Sequence, residues 1–138
     1  MILFVDDESR YVDSYIQELK SPPHNYEVEY YNEVDTALEF LGSHLDQIEL
    51  LILDIILPPG SAFEDVDTES GLRTGVAFFE RARAMRPDLP VIILTNVSDE
   101  QVREGFISKD KCTYLRKEDY YPFELCAEVE QMLAGSSQ

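Results

Sequence analysis

The chain is poor in the residues that announce several common protein classes. Its 138 residues include two cysteines, two histidines, no tryptophan, and only 11 lysines and arginines against 28 aspartates and glutamates. Two cysteines, Cys112 and Cys126, supply no disulfide framework, so we expect reduced, partly buried thiols in a cytoplasmic protein. The scarcity of basic charge leaves a net −17. That excludes nucleic acid as a direct partner, because binding it requires cations to neutralise phosphates. It equally disfavours an anionic membrane surface. No apolar run approaches the ~20 residues of a membrane span. The opening Met1–Val5 leads straight into Asp6-Asp7-Glu8 with none of the features of a secretion signal. His24 and His44 show no ligand spacing and are expected at the surface.

What is present is periodicity. Apolar runs at Ile2–Val5, Tyr26–Tyr31, Leu50–Leu53, Val91–Leu94 and Cys112–Leu115 read as strands. Four are nearly continuous, as strands covered on both faces are, and Tyr26–Tyr31 alternates like an edge strand. Between them the 3.6-residue period predicts helices over Ser9–Lys20, Asn32–Leu41, Thr74–Arg86, Ser98–Phe106 and Tyr121–Leu133. Ser9 and Ser98 are read as amino-terminal caps, and Gly135 as the stop of the last helix. Five βα units imply an α/β fold, a doubly wound five-stranded parallel sheet with five helices. One domain is expected over residues 1–134, with 135–138 a disordered tail. Residues 57–74 are irregular, long for a βα connection, and carry four acids against Arg73.

In such a sheet, ligands bind beyond the carboxyl ends of the strands. The first run ends in Asp6-Asp7, the third in Asp54, the fourth in Thr95-Asn96 and the fifth in Arg116-Lys117. Two carboxylates ~4 Å apart repel by roughly 4 kcal/mol at an effective dielectric of 20, so three together call for protonation or a cation. An all-oxygen set with few protein ligands suits Mg²⁺. Lys117 offers a point charge and Thr95 a hydroxyl for phosphoryl oxygens, and a carboxylate can itself accept a phosphoryl group. The pattern describes a Mg²⁺-dependent phosphoryl site with Asp54 as acceptor.

Four segments in order, Phe4-Val-Asp-Asp-Glu8, Leu51-Ile-Leu-Asp-Ile-Ile-Leu-Pro58, Pro90-Val-Ile-Ile-Leu-Thr-Asn96 and Tyr114-Leu-Arg-Lys117, resemble those of response-regulator receiver domains, the phospho-accepting modules of two-component signalling. The resemblance implies a flavodoxin-like (βα)5 fold. It implies metal binding by Asp6, Asp7, Asp54 and the backbone carbonyl of Ile56, phosphorylation of Asp54, and contacts to the phosphoryl group from Thr95 and Lys117. Tyr114 matches the family's switch aromatic, whose orientation follows the threonine and remodels the face made by the fourth helix, fifth strand and fifth helix. The phosphate would come from a sensor histidine kinase or a phosphotransfer protein, and the output would be a downstream protein target. The chain is expected to act as a stand-alone module, as a monomer or a phosphorylation-dependent dimer.

Four departures from the family pattern stand out. Glu118 follows Lys117 where the family has a cis-proline, so the lysine is expected either to sit differently or to be a solvated charge. Asn96 replaces a very small residue, and Ile56 and Val97 are apolar where polar residues are common. Residues 58–74 are an insertion, read either as a solvated loop or as a cover over Asp54. The alternative function is a phosphorylation-independent pseudo-receiver that binds proteins. A third reading, a Mg²⁺-dependent phosphatase, lacks the second acid two residues beyond the nucleophile, where Ile56 stands. Tyr120, Tyr121 and Phe123 are read as helix-docking aromatics, or alternatively as a partner contact on this face.

Overall fold

The computed structural model describes residues 1–69, 71 and 73–136. Five strands, β1 (Ile2–Val5), β2 (Val28–Tyr31), β3 (Leu50–Leu53), β4 (Val91–Thr95) and β5 (Cys112–Arg116), alternate with α1 (Ser9–Lys20), α2 (Val34–Ser43), α3 (Thr74–Met85), α4 (Glu100–Ile107) and α5 (Pro122–Ser136). All pairings are parallel, in the order β2-β1-β3-β4-β5. The alternating run is indeed an edge strand.

Side chains alternate across each strand, which explains why the continuous apolar runs feed two cores. Leu3, Val5, Leu51, Leu53, Val91 and Ile93 pack on one face against α2, α3 and α4. Ile2, Phe4, Leu50, Ile52, Ile92 and Leu94 face the other way onto α1 and α5. The chain winds outward from β1 to β2, then crosses to β3, so the order reverses between β1 and β3. The crevice opens there, at the carboxyl ends of those two strands.

Several local expectations are corrected. The cap of α1 is Glu8 rather than Ser9. The cap of α4 is Asp99, whose carboxylate accepts from the Gln101 and Val102 amides, because Ser98 lies a residue too early. α5 runs through Gly135 to Ser136, past the stop read at Gly135, and residues 137–138 lie outside the described residues. α2 starts at Val34, two residues later than the periodicity implied. Neither histidine is simply a surface residue. His24 stacks on Tyr26 with Nδ1 3.3 Å from Glu130, and His44 stacks on Phe40. Both cysteines are free, Cys126 buried and Cys112 half-buried, and burial pushes each thiol up to about 11. Among the described residues, no helix is long and apolar enough to cross a membrane.

Candidate functional site

Each carboxylate is delivered by the first turn of backbone beyond a buried strand. Asp6 follows β1 and is 1% exposed. Its Oδ1 accepts from the Glu8 amide at 2.8 Å, and its carbonyl accepts from the Tyr30 hydroxyl at 2.7 Å. Asp54 follows β3 and is 3% exposed. Its amide donates to Val5 O, tying the two strand ends together, and its Oδ1 accepts from the Ile55 amide at 2.7 Å. Asp7 is exposed beside them.

Lys117 closes the cluster from β5. Its Nζ donates to Asp54 Oδ2 at 2.9 Å and forms an ion pair with Asp6 Oδ2, also at 2.9 Å. Asp6 Oδ2 is thus buried directly against this ammonium. Glu8 Oε2 stands 3.8 Å from the same ammonium. The lysine is therefore buried and engaged, not solvated. Among the described residues the sole cis peptide bond is Pro22–Pro23, so Lys117 reaches the carboxylates through a trans bond to Glu118.

The electrostatics follow from burial. Desolvation, reinforced by the charge of Asp54, pushes the Asp6 carboxyl up to about 6, although Lys117 and the Glu8 amide pull it the other way. Desolvation opposes the charged form of Lys117, but Asp54 and Asp6 together outweigh it and hold the ammonium above the usual lysine range. Asp6, Asp7 and Asp54 each present an oxygen, all within 4.8 Å of one another. Three hard oxygen donors, two of them on buried carboxylates, fit a small divalent cation such as Mg²⁺.

Thr95 and Tyr114 meet at one residue. Thr95 is fully buried, and its Oγ1 accepts from the Val97 amide at 3.3 Å. The Tyr114 hydroxyl donates to the Val97 carbonyl at 2.6 Å. Behind Tyr114 lie Phe106, at 6.1 Å between ring centres, and Phe79, edge-on to Phe106 at 5.1 Å. The β4–α4 connection is thus gripped by the threonine from one side and the tyrosine from the other.

The long loop is anchored to the body of the domain rather than freely solvated. The Asp35 carboxylate on α2 accepts from the Ser61 and Ala62 amides, both at 2.8 Å. Those amides hold its carboxyl below the ordinary range. Gly60 has φ +61°, and a Cβ there would sit 2.7 Å from Asp35 Oδ1. Phe63 is 1% exposed under the Arg81 guanidinium, 4.8 Å from its ring centre. Glu64, Asp65, Asp67 and Glu69 point to solvent. The end of the loop, Glu69 and Arg73, forms one wall of a groove whose other side is Ile56, Asn96 and Val97. Asn96 also borders a second cleft with Tyr11, Tyr15, Lys117 and Glu118.

Four residues that shape the candidate site and its loop carry no role in the sequence analysis. Gly75 brings α3 so close to β3 that a Cβ would lie 2.2 Å from Asp54 O, and the only hint was a glycine at a helix start. Asp35, Tyr15 and Tyr30 act through backbone contacts that no motif encodes. The aromatic expectation is corrected in part. Tyr120 packs against the core, but Tyr121 and Phe123 are 70% and 65% exposed and stack on each other.

No protein-family model and no curated protein matches the chain. Solved structures do. A CheY-like response regulator receiver domain protein from Methanospirillum hungatei is 24% identical over 99% of this chain and 94% of its own, with a TM-score of 0.74. The signal receiver domain of a putative Luxo repressor protein from Vibrio parahaemolyticus is 21% identical, covering 99% and 91%, with a TM-score of 0.76. The receiver domain of NtrX from Brucella abortus is 21% identical, covering 97% and 98%, with a TM-score of 0.73. The chain has the fold of response-regulator receiver domains from end to end.

Proposed function

We propose that the chain is a phospho-accepting receiver, a signalling module rather than a turnover enzyme. In this reading Asp54 takes a phosphoryl group from the phosphohistidine of a sensor kinase or phosphotransfer protein. A carboxylate oxygen of Asp54 attacks phosphorus, a P–O bond forms, the P–N bond breaks, and its electron pair returns to the imidazole nitrogen, which then takes up a proton. Asp6, Asp7, Asp54 and the Ile56 carbonyl would hold Mg²⁺, which when bound neutralises charge on the transferring phosphoryl oxygens. Lys117, already bonded to Asp54, pairs with one of those oxygens, and the Thr95 hydroxyl donates to another. The observation that carries the reading is the buried meeting of Lys117 Nζ with Asp54 Oδ2 inside a triad of carboxylate oxygens.

Output follows from Val97. Drawing the Thr95 hydroxyl toward a phosphoryl oxygen removes the acceptor of the Val97 amide, and Tyr114 is bonded to the carbonyl of that same residue. The α4–β5–α5 face is then biased by a local charge, as a cytoplasmic monomer or a phosphorylation-dependent dimer that contacts a protein target. The pseudo-receiver alternative has no observation in its favour, since the lysine that Glu118 was expected to displace is in place. Incubation with acetyl phosphate and Mg²⁺ tests the reading. One phosphoryl group is expected per chain, lost with a chelator and in Asp54→Asn; no uptake by the wild type overturns it.

A further inference from the structure

We infer that Tyr15 of α1 is a positioning residue for Lys117, doing through a side chain what the residue after the lysine does not do here. The inference rests on the phospho-acceptor reading and adds to it a residue that the motifs leave out. Lys117 opens a short 3-10 turn, Lys117–Asp119. Its ammonium reaches the carboxylate cluster, while its carbonyl faces α1. There the Tyr15 hydroxyl, on a side chain only 6% exposed, donates to the Tyr120 carbonyl at 2.8 Å and shares that proton with the Lys117 carbonyl at 3.3 Å. One phenol thus clasps both ends of the turn, at residues 117 and 120, more than 100 positions away in sequence.

Nothing else in the turn provides an equivalent hold. Glu118 is exposed and its carboxylate is paired with Arg116, on the same short segment. The Lys117–Glu118 bond is trans and Glu118 imposes no ring constraint on φ. The backbone contact within the turn is a long 3.4 Å bond from the Tyr120 amide to the Lys117 carbonyl. A buried lysine has four rotatable side-chain bonds, so where its Nζ sits depends on how firmly its backbone is anchored. Tyr15 supplies that anchor, and it lies on the wall of the cleft that Lys117 and Asn96 border.

The geometry dictates a selective phenotype. Tyr15→Phe keeps the ring in its apolar setting and removes only the donor. Phosphorylation by acetyl phosphate at saturating Mg²⁺ is expected to slow about tenfold, because small misplacements of a positioned charge cost rate steeply. Mg²⁺ affinity, set by Asp6, Asp7 and Asp54, is expected to stay within about twofold, since a purely structural defect would loosen both together. In a Lys117→Ala background, Tyr15→Phe is expected to cost nothing further, because the residue acts through the lysine. If Tyr15→Phe does not fold, a fluorinated tyrosine at position 15 serves instead. Its phenol ionises at lower pH, and the rate should fall as that proton is lost while the wild-type rate holds. A wild-type rate in Tyr15→Phe, or an equal loss with and without Lys117, overturns the inference. No phosphorylation of the wild type would instead overturn the acceptor reading itself.

Discussion

Lys117 Nζ donates a 2.9 Å hydrogen bond to Asp54 Oδ2 in a site where the two side chains are 6% and 3% exposed. A buried pair of this kind is costly to break from one side, because the remaining charge is left without a partner. Lys117→Ala is expected to destabilise the metal-free protein by about 3 kcal/mol, with Mg²⁺ recovering part of the loss. Lys117→Arg is expected not to restore phosphorylation, since a planar fork does not replace a point charge in this space. Urea unfolding with and without Mg²⁺, beside a phosphorylation assay, checks both.

Asp6 gives the site a pH dependence of defined sign. Its folded-state pKa, about 6, lies above the ordinary 3.8. Its contribution to stability is therefore fully present below pH ~4 and is lost as pH rises through about 6. In metal-free protein Asp6→Asn is expected to be more stable than wild type above pH 6, by at most about 3 kcal/mol from 1.36 kcal/mol per pKa unit, and to converge with it in acid. Paired denaturation curves from pH 4 to 8 read this directly. Mg²⁺ should reverse the order, since the asparagine lacks the charge that the cation requires.

Gly75 allows α3 to start against the carbonyl of Asp54. With a Cβ placed 2.2 Å from Asp54 O and 2.5 Å from Ile55 Cα, relief must come from backbone movement. Gly75→Ala is expected to cost about 3 kcal/mol and to displace Asp54 with it. Calorimetry and phosphorylation rate should fall together.

Asp35 fastens the inserted loop to α2. Removing the carboxylate that accepts from the Ser61 and Ala62 amides, in Asp35→Ala, is expected to expose residues 60–69 to a glutamate-specific protease, with cleavage after Glu64 or Glu69 several times faster than in wild type. Since the Ala62 and Ser61 amides lower its pKa, the fastening is fully present above the ordinary aspartate range and is lost as pH falls below that range through the lowered folded-state value. Unchanged cleavage would mean that Phe63 and the Arg81–Ala62 contact hold the loop without Asp35.

Ile56 is 43% exposed and Val97 half-buried at the groove beside Asp54. Neither can orient a water for attack on an aspartyl phosphate. We expect a phosphoryl lifetime of minutes or longer in purified protein, shortened severalfold in Ile56→Asn. A lifetime of seconds in the wild type counts against this account.

The sheet was legible because its strands are buried on both faces, and runs such as Leu50–Leu53 have no other stable home. The acidic cluster was legible for the same reason, since Asp6 and Asp54 abut those strands and strand ends converge. What escaped are contacts in which one partner is backbone. Tyr15, Tyr30 and Asp35 bond to carbonyls or amides, which carry no sequence signature. Loop 57–74 reads as solvated acid because its four carboxylates dominate the pattern, whereas its anchors are one buried ring, Phe63, and backbone amides bonded to Asp35. Lys117 beside Glu118 was read as a doubtful ligand because a missing proline is visible in the sequence and a distant phenol is not.

The most direct test is chemical mapping of the phosphorylated side chain. After incubation with acetyl phosphate and Mg²⁺, borohydride reduction converts an aspartyl phosphate to homoserine, which tandem mass spectrometry locates by residue. The account predicts homoserine at position 54 alone, and none when Mg²⁺ is withheld. Homoserine at Asp6 or Asp7, or unchanged phosphoryl uptake in Asp54→Asn, would contradict it.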